Sequence, residues 1–264
     1  MFTNYHTHTT RCLHATGTEE EYVIRAINSG FSELGFSDHA PYLFSNGFYS
    51  DYRMDASQYS DYYNTILRLK EKYADRIKLY IGLELEYYPK FFEQTIKFIM
   101  SQDIDYLILG QHFINNEYDG VFVNTPFTVD DNTLKTYVNQ SIEAMQTGLF
   151  TYFAHPDLIR YNSSSKYYEE QMSRLCIAAN QVGIPLEINL CGLRNHRNYP
   201  CERFFKLASD YKNEVIIGFD AHSVDDVFSE EVNFYYNKAK LMVSNLGLKL
   251  IDRAELIKPK LLVK

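Results

Sequence analysis

Residues 214–222 read EVIIGFDAH. A short apolar, β-rich run stops on Asp220 and His222, two groups able to bind a metal ion or move a proton. Comparable runs occur at residues 2–6, 33–38 (ELGFSD), 78–84 (KLYIGLE), 105–111 (DYLILGQ), 150–154 (FTYFA) and 185–190 (PLEINL). Segments of helical period lie between them, near residues 55–74, 89–101, 130–147, 166–182, 201–212 and 229–245. Another helix opens at Thr18-Glu19-Glu20-Glu21, where the Thr18 hydroxyl can accept from the Glu21 amide while Glu21 reaches back, a capping box. Strands alternating with helices predict an α/β fold with a parallel sheet. Seven such units in 264 residues predict a closed, TIM-like (β/α) barrel with its site at the carboxyl ends of the strands. An open doubly wound sheet is the alternative, but its G-x-G-x-x-G turn is missing. No linker, low-complexity tract or repeat divides the chain, so residues 1–264 are expected to form a single domain.

Composition narrows the function. The chain is 45% hydrophobic with only 12 Gly and 7 Pro, which excludes disordered and collagen-like classes. With 23 Tyr, 18 Phe and no Trp, the interior must be filled by single-ring aromatics. A formal charge of −8 argues against a nucleic-acid-binding face, which needs clustered Lys and Arg. Four dispersed cysteines, Cys12, Cys176, Cys191 and Cys201, fit reduced thiols. MFTNYHTHTTRC has no basic lead followed by an apolar run, and no apolar stretch of about 18 residues occurs, so a cytoplasmic protein without a membrane partner is expected.

The strand ends separate packing from chemistry. His6 and His8 close the first strand, Asp38-His39 the second, Glu84 the third, His112 the fourth, His155 the fifth, and Asp220 with His222 the last. Side chains two residues apart in an extended chain share a face, so His6 and His8 can hold one ion together. A lone buried His is usually a satisfied core residue. Seven on one rim, counting the loop residue His14, are hard to explain as packing, because such rings are costly to bury without partners. With Glu84 and Asp220 they make nine candidate ligands, enough for three ions if one carboxylate bridges. Cys12 is not counted among them.

In order, His6-Thr7-His8, His14, Ser37-Asp38-His39, Gly82-Leu83-Glu84, Asp105 to His112 with Phe113, Ala154-His155-Pro156 and Phe219-Asp220-Ala221-His222 resemble the motifs of the polymerase and histidinol phosphatase (PHP) superfamily. The stretches Leu186 to Asn189 and Gly192 to Arg194, with no appended polymerase region, look most like the monofunctional histidinol-phosphatases. The resemblance implies a distorted (β/α)7 barrel with a trinuclear centre of divalent Zn, Mn or Fe. It implies a first ion on His6, His8, Glu84 and Asp220, a second sharing Glu84 with His112 and His155, and a third on His14, His39 and His222. Asp38 and Glu86 are expected either to orient imidazoles behind the ligands or to be ordinary carboxylates.

The implied activity is hydrolysis of a small phosphate monoester, L-histidinol phosphate, in histidine biosynthesis. A hydroxide between the first two ions is expected to attack phosphorus in line, without a covalent enzyme intermediate. Arg160 and Arg197 are expected to clamp the phosphate, with Arg194 as a rival to Arg197 and a surface salt bridge as the alternative for each. His196, the only histidine outside the motifs, could contact phosphate or protonate the leaving alkoxide, or be a solvated loop residue. Glu117 is expected to bind the substrate ammonium. The aromatic loop Pro41 to Arg53 could cover the substrate or pack on the barrel. Two rival readings remain at this level: a related phosphoesterase acting on phosphotyrosine or nucleotides, and a noncatalytic metal-stabilised module.

Overall fold

The computed structural model describes residues 2–44 and 47–260; Ser45 and Asn46 of the aromatic loop lie outside the described residues. In chain order its elements are β1 Phe2–Asn4, α1 Glu19–Asn28, β2 Phe31–Phe36, α2 Tyr59–Lys72, β3 Lys78–Leu85, α3 Phe92–Ile99, β4 Tyr106–Leu109, β5 Phe113–Ile114 and β6 Val121–Phe122. There follow α4 Asp131–Gln146, α5 Ser165–Val182, β7 Leu186–Asn189, α6 Leu190–Arg194, α7 Glu202–Asp210, β8 Glu214–Gly218, α8 Val224–Val227, α9 Glu230–Leu246 and β9 Lys249–Leu250. The expected capping box is present, with the Thr18 hydroxyl accepting from Glu21 N–H and the Glu21 carboxylate accepting from Thr18 N–H.

The parallel strands close into a ring. Registers run Asn4↔Leu34, Phe36↔Ile81, Glu84↔Ile108 and Ile188↔Ile217 across the neighbouring pairs. Phe153 bridges Leu109 on one side and Leu186 on the other, and Thr7 bridges Ala221 to shut the circle. His8 N–H donates to the Ala221 carbonyl at 2.9 Å, and Ala221 N–H donates to the His6 carbonyl at 3.1 Å. Residues 150–154 were expected to be a full strand. No strand is formed there beyond the bridges of Phe153, yet the segment still completes the ring through its backbone, Thr151 and Ala154 N–H donating to the Leu107 and Leu109 carbonyls and Leu109 N–H to the Tyr152 carbonyl.

Period-two alternation sorts the residues of each stave. Leu107 and Leu109 on β4, Leu83 and Leu85 on β3, and Val215 and Ile217 on β8 pack in the larger core, which also holds Val23, Ile66 and Leu175 from the surrounding helices. Tyr106 and Ile108 face the other way, into a separate cluster with Tyr5, Tyr152, Ala154 and Ile216 that fills the lumen. Tyr106 spans that lumen, its hydroxyl donating to the Tyr5 carbonyl at 2.7 Å. Without Trp, tyrosine supplies both the bulk and the polar tip that a buried ring must satisfy. The same inward register carries Glu84 and Glu86, Glu187 and Asn189, and Asp220 toward the carboxyl end, above the aromatic plug. No helix among the described residues is long and apolar enough to cross a membrane.

Candidate metal centre

The nine residues singled out as candidate ligands meet in one place. His6, His8 and Glu84 are fully buried, His39 and His155 nearly so, while His14 is exposed and His222 half-buried, giving a deep floor and an open rim. His6 Nε2 lies 3.5 Å from both Glu84 Oε2 and Asp220 Oδ1. His8 Nε2 is 3.1 Å from Asp220 Oδ1 and 3.6 Å from Glu84 Oε2. The other Glu84 oxygen, Oε1, is 2.9 Å from His155 Nε2 and 3.6 Å from His112 Nε2. At the rim the His222 ring stacks on His8 at 4.1 Å and on His14 at 4.9 Å between centroids.

These donors converge without satisfying one another. His6 Nε2, both nitrogens of His8, His39 Nδ1 and both oxygens of Glu84 are buried without an aligned hydrogen bond. They are within ionic reach of their neighbours, yet aim at shared space rather than at each other, as ligands around an ion do. Leaving so many polar atoms unpaired would otherwise cost about 1–3 kcal/mol each. Ligand atoms of His14, His39 and His222, of His6, His8 and Glu84, and of His39, Glu84 and His112 lie within 4.8 Å of one another in each set. His155 also groups with His6 and Asp220, and His39 belongs to two sets, so neighbouring positions share ligands. The residues present fit divalent metal ions.

The backbone is shaped for this cluster. Gly110 faces Glu84 so closely that a β-carbon there would overlap its carboxylate, and Gly218 does the same for Glu187. His155 and Asp220 hold positive φ angles of 33° and 50°, a strained conformation for residues with side chains.

Charge is divided between floor and rim. Burial opposes protonation of His6, but Glu187, Asp220 and Glu84 outweigh it and raise the ring to about 10. Burial likewise opposes ionisation of Glu84, yet His112, His39 and His6 hold it well below the usual carboxylate range. Asp220 behaves similarly, burial being outweighed by His6, His222 and His8. His222, by contrast, is driven down to about 3 by burial and by His8, and burial also lowers His14 and His39. His14, His39 and His222 therefore offer neutral imidazoles, the form that ligates metal.

A second layer of carboxylates stands behind the rings. His6 Nδ1 is 2.8 Å from Glu187 Oε1, and Asn189 Nδ2 donates to Glu187 Oε2 at 2.8 Å and to Asp220 Oδ2 at 3.1 Å. Asp38 Oδ1 lies 3.4 Å from His8 Nδ1 and accepts from His39 N–H, while Glu86 Oε1 is 2.9 Å from His112 Nδ1. Sequence reasoning named Asp38 and Glu86 as candidates for this layer and missed Glu187. The alternation Leu186-Glu187-Ile188-Asn189 within a strand, which puts two polar groups inward, was the available signal.

Of the expected substrate contacts, some reach the cleft and some do not. A cleft of about 420 Å3 opens over the cluster, with Arg194, Arg197 and Tyr52 in its wall. Arg194 is engaged by Asp226 at 2.5 Å, whereas Arg197 has no carboxylate partner among the described residues. Arg160 and His196 line an adjoining cavity of about 430 Å3, which meets the cleft at Arg197. His196 Nε2 is 3.4 Å from the Tyr235 hydroxyl, outside the ligand cluster.

Glu117 corrects the expectation made for it. Its carboxylate is taken by Arg53, whose Nε lies 2.6 Å from Oε2, and by the Ser50 hydroxyl, and it does not line the cleft. The described part of the aromatic loop packs on the barrel, one of the two expectations made for it. Tyr42 and Phe44 pack on the barrel core, while Tyr52 faces His39 at 4.6 Å and His14 at 5.2 Å between centroids.

Comparison with known proteins places this geometry. The family described as PHP domain matches residues 4–191. A Deinococcus radiodurans protein named probable histidinol-phosphatase is 28% identical over 84% of this chain and 86% of its own length. The histidinol-phosphatase of Bacillus subtilis is 24% identical over 84% of this chain and 94% of its own. The histidinol phosphate phosphatase of Lactococcus lactis, solved with zinc, L-histidinol and phosphate, superposes with a TM-score of 0.73 at 20% identity, covering 96% of this chain and 98% of that one.

Proposed function

The chain belongs to the PHP domain family, and from that premise we propose that it is a metal-dependent phosphomonoesterase hydrolysing L-histidinol phosphate to L-histidinol and inorganic phosphate. The observation that carries the reading is the convergence of nine ligand-type side chains, with orphaned buried donor atoms, on one small cleft. The name and near-full-length match of the relatives support the choice of substrate. In this reading residues 1–264 act as a single catalytic domain on a small-molecule ester rather than on nucleic acid.

Three divalent ions would be held, the first by His6, His8, Glu84 and Asp220, the second by Glu84, His112 and His155, and the third by His14, His39 and His222. Zn, Mn and Fe all suit imidazole and carboxylate ligands. Such ions supply positive charge to phosphoryl oxygens and make water acidic enough to ionise near neutral pH. The chain's own residues set the stage for that chemistry. Glu84, with an oxygen toward each half of the cluster, joins two positions. Glu187 and Glu86 fix the rings of His6 and His112 from behind, so that each presents its Nε2 to the centre, and Asp38 lies 3.4 Å behind His8 Nδ1.

Arg197 binds the phosphate end of the substrate where cleft and cavity meet, and Arg160 extends the cationic wall away from the ions. Arg194, already neutralised by Asp226, is assigned to the wall of the cleft. His196 is assigned to the approach rather than to proton donation, because it lies on the cavity side of Arg197. The test is turnover of L-histidinol phosphate by the metal-reconstituted protein, set against phosphotyrosine and nucleoside monophosphates. A clear preference for L-histidinol phosphate is expected; preference for either competitor, or no turnover with Zn, Mn or Fe, contradicts the proposal.

A further inference from the structure

Among the described residues, Arg53 is the largest fully buried side chain, and it stands outside the ligand cluster. An Arg is almost never fully buried unless its charge is paired. Its guanidinium grips Glu86 with both terminal nitrogens, Nη1 to Oε2 at 2.8 Å and Nη2 to Oε1 at 2.9 Å. Two further donors are used as well, Nε to Glu117 Oε2 at 2.6 Å and Nη1 to the Ala40 carbonyl at 3.1 Å. One side chain thus ties together the segment after β2, the residue just beyond β3 and the loop between β5 and β6.

The consequence passes to the metal centre through Glu86. Glu86 Oε1 is shared between Arg53 Nη2 and His112 Nδ1. Because Arg53 can only donate and an ionised carboxylate can only accept, the hydrogen in the second contact belongs to His112 Nδ1. In the neutral ring that leaves the lone pair on the opposite nitrogen, Nε2, the one facing Glu84 Oε1 at 3.6 Å. Tyr52, next to Arg53 in the chain, lies with its ring 5.4 Å from that of His112 and 5.2 Å from that of His14. Whatever holds Arg53 also holds this ring against the rim.

We infer that Arg53 is a positioning residue for the metal centre: through Glu86 it fixes His112 in the Nδ1–H tautomer that offers Nε2 as a ligand. It does so without touching substrate or ion. Its planar fork can serve Glu86 and Glu117 at once, which a lysine ammonium cannot. The inference rests on the reading of His112 as a ligand, and its test does not depend on the substrate.

The experiment titrates metal-free wild-type, Arg53→Gln, Arg53→Lys and Glu86→Gln proteins with zinc alone, and records the imidazole 15N signals of His112 before zinc is added. Circular dichroism checks folding. Wild type is expected to show the Nδ1–H form. Arg53→Gln is expected to lose that preference and to bind the equivalent of zinc that uses His112 about 10–100-fold more weakly, with a smaller loss for Arg53→Lys. A folded Arg53→Gln protein with the wild-type tautomer and wild-type zinc affinity overturns the inference. If Arg53→Gln does not fold, Glu86→Gln decides: weakened zinc binding upholds the inference and unchanged binding overturns it. A wild type that binds zinc through His112 but leaves L-histidinol phosphate intact would defeat the proposed function and leave this inference standing.

Discussion

The two nitrogens of His6 are divided between layers: Nδ1 lies 2.8 Å from Glu187 Oε1, while Nε2 is left 3.5 Å from Glu84 Oε2 with no aligned hydrogen bond. One carboxylate orients the ring and the other shares its task. Glu187→Gln keeps the shape but weakens the acceptor behind His6, so we expect about 10–100-fold loss of zinc affinity or activity with the fold intact. Isothermal titration with zinc and steady-state rates check this; wild-type values for both would show that Glu187 is only a packing residue.

Loss of a ligand and loss of a phosphate contact should differ in kind. His112→Ala or Asp220→Ala is expected to abolish turnover. Arg197→Ala or Arg160→Ala is expected chiefly to raise KM, since the first removes the phosphate contact and the second the cationic wall beside it, and both leave the ligands in place. A kcat–KM split between the two groups is the measurement. An Arg197 variant that loses kcat alone would move that residue into the chemistry.

Gly110→Ala would press a β-carbon into the Glu84 carboxylate. Overpacking of this kind costs about 1–3 kcal/mol, and here the strain falls on the shared ligand. Thermal unfolding should show that modest loss, and metal analysis a reduced ion content. Full metal content in the folded variant would mean that Glu84 has room to move aside.

Metal removal should give stability a particular pH dependence. His6 is raised to about 10 in the folded, metal-free chain, so its contribution is complete below its unfolded value near 6.5 and is lost as pH rises from there toward 10. His222 is lowered to about 3, so it works the other way, favouring folding progressively as pH rises from about 3 to 6.5. Ions replace the proton on His6, so zinc binding should release protons and tighten with rising pH. Chemical denaturation with and without zinc across this range tests the signs; proton uptake on binding would contradict them.

The ligand-bearing strand ends were legible because alternation with period two exposes a polar residue among aliphatics, as in EVIIGFDAH. The partners behind them were not. Arg53 sits in an aromatic loop, and nothing local says that it is buried against Glu86 and Glu117, which are 33 and 64 residues away. For the same reason Glu117 read as a free carboxylate on the rim. Elements as short as α8, β5 and β6 carry too few residues to show a period. The strand expected at 150–154 has the right composition, but only Phe153 finds partners on both sides.

A shared-ligand centre of three ions built around Glu84 is checked by counting divalent ions per chain in wild type and in Glu84→Ala after reconstitution. Three are expected in wild type, with the loss of more than one in the variant, because Glu84 serves two positions. An equal count in the two proteins would contradict it.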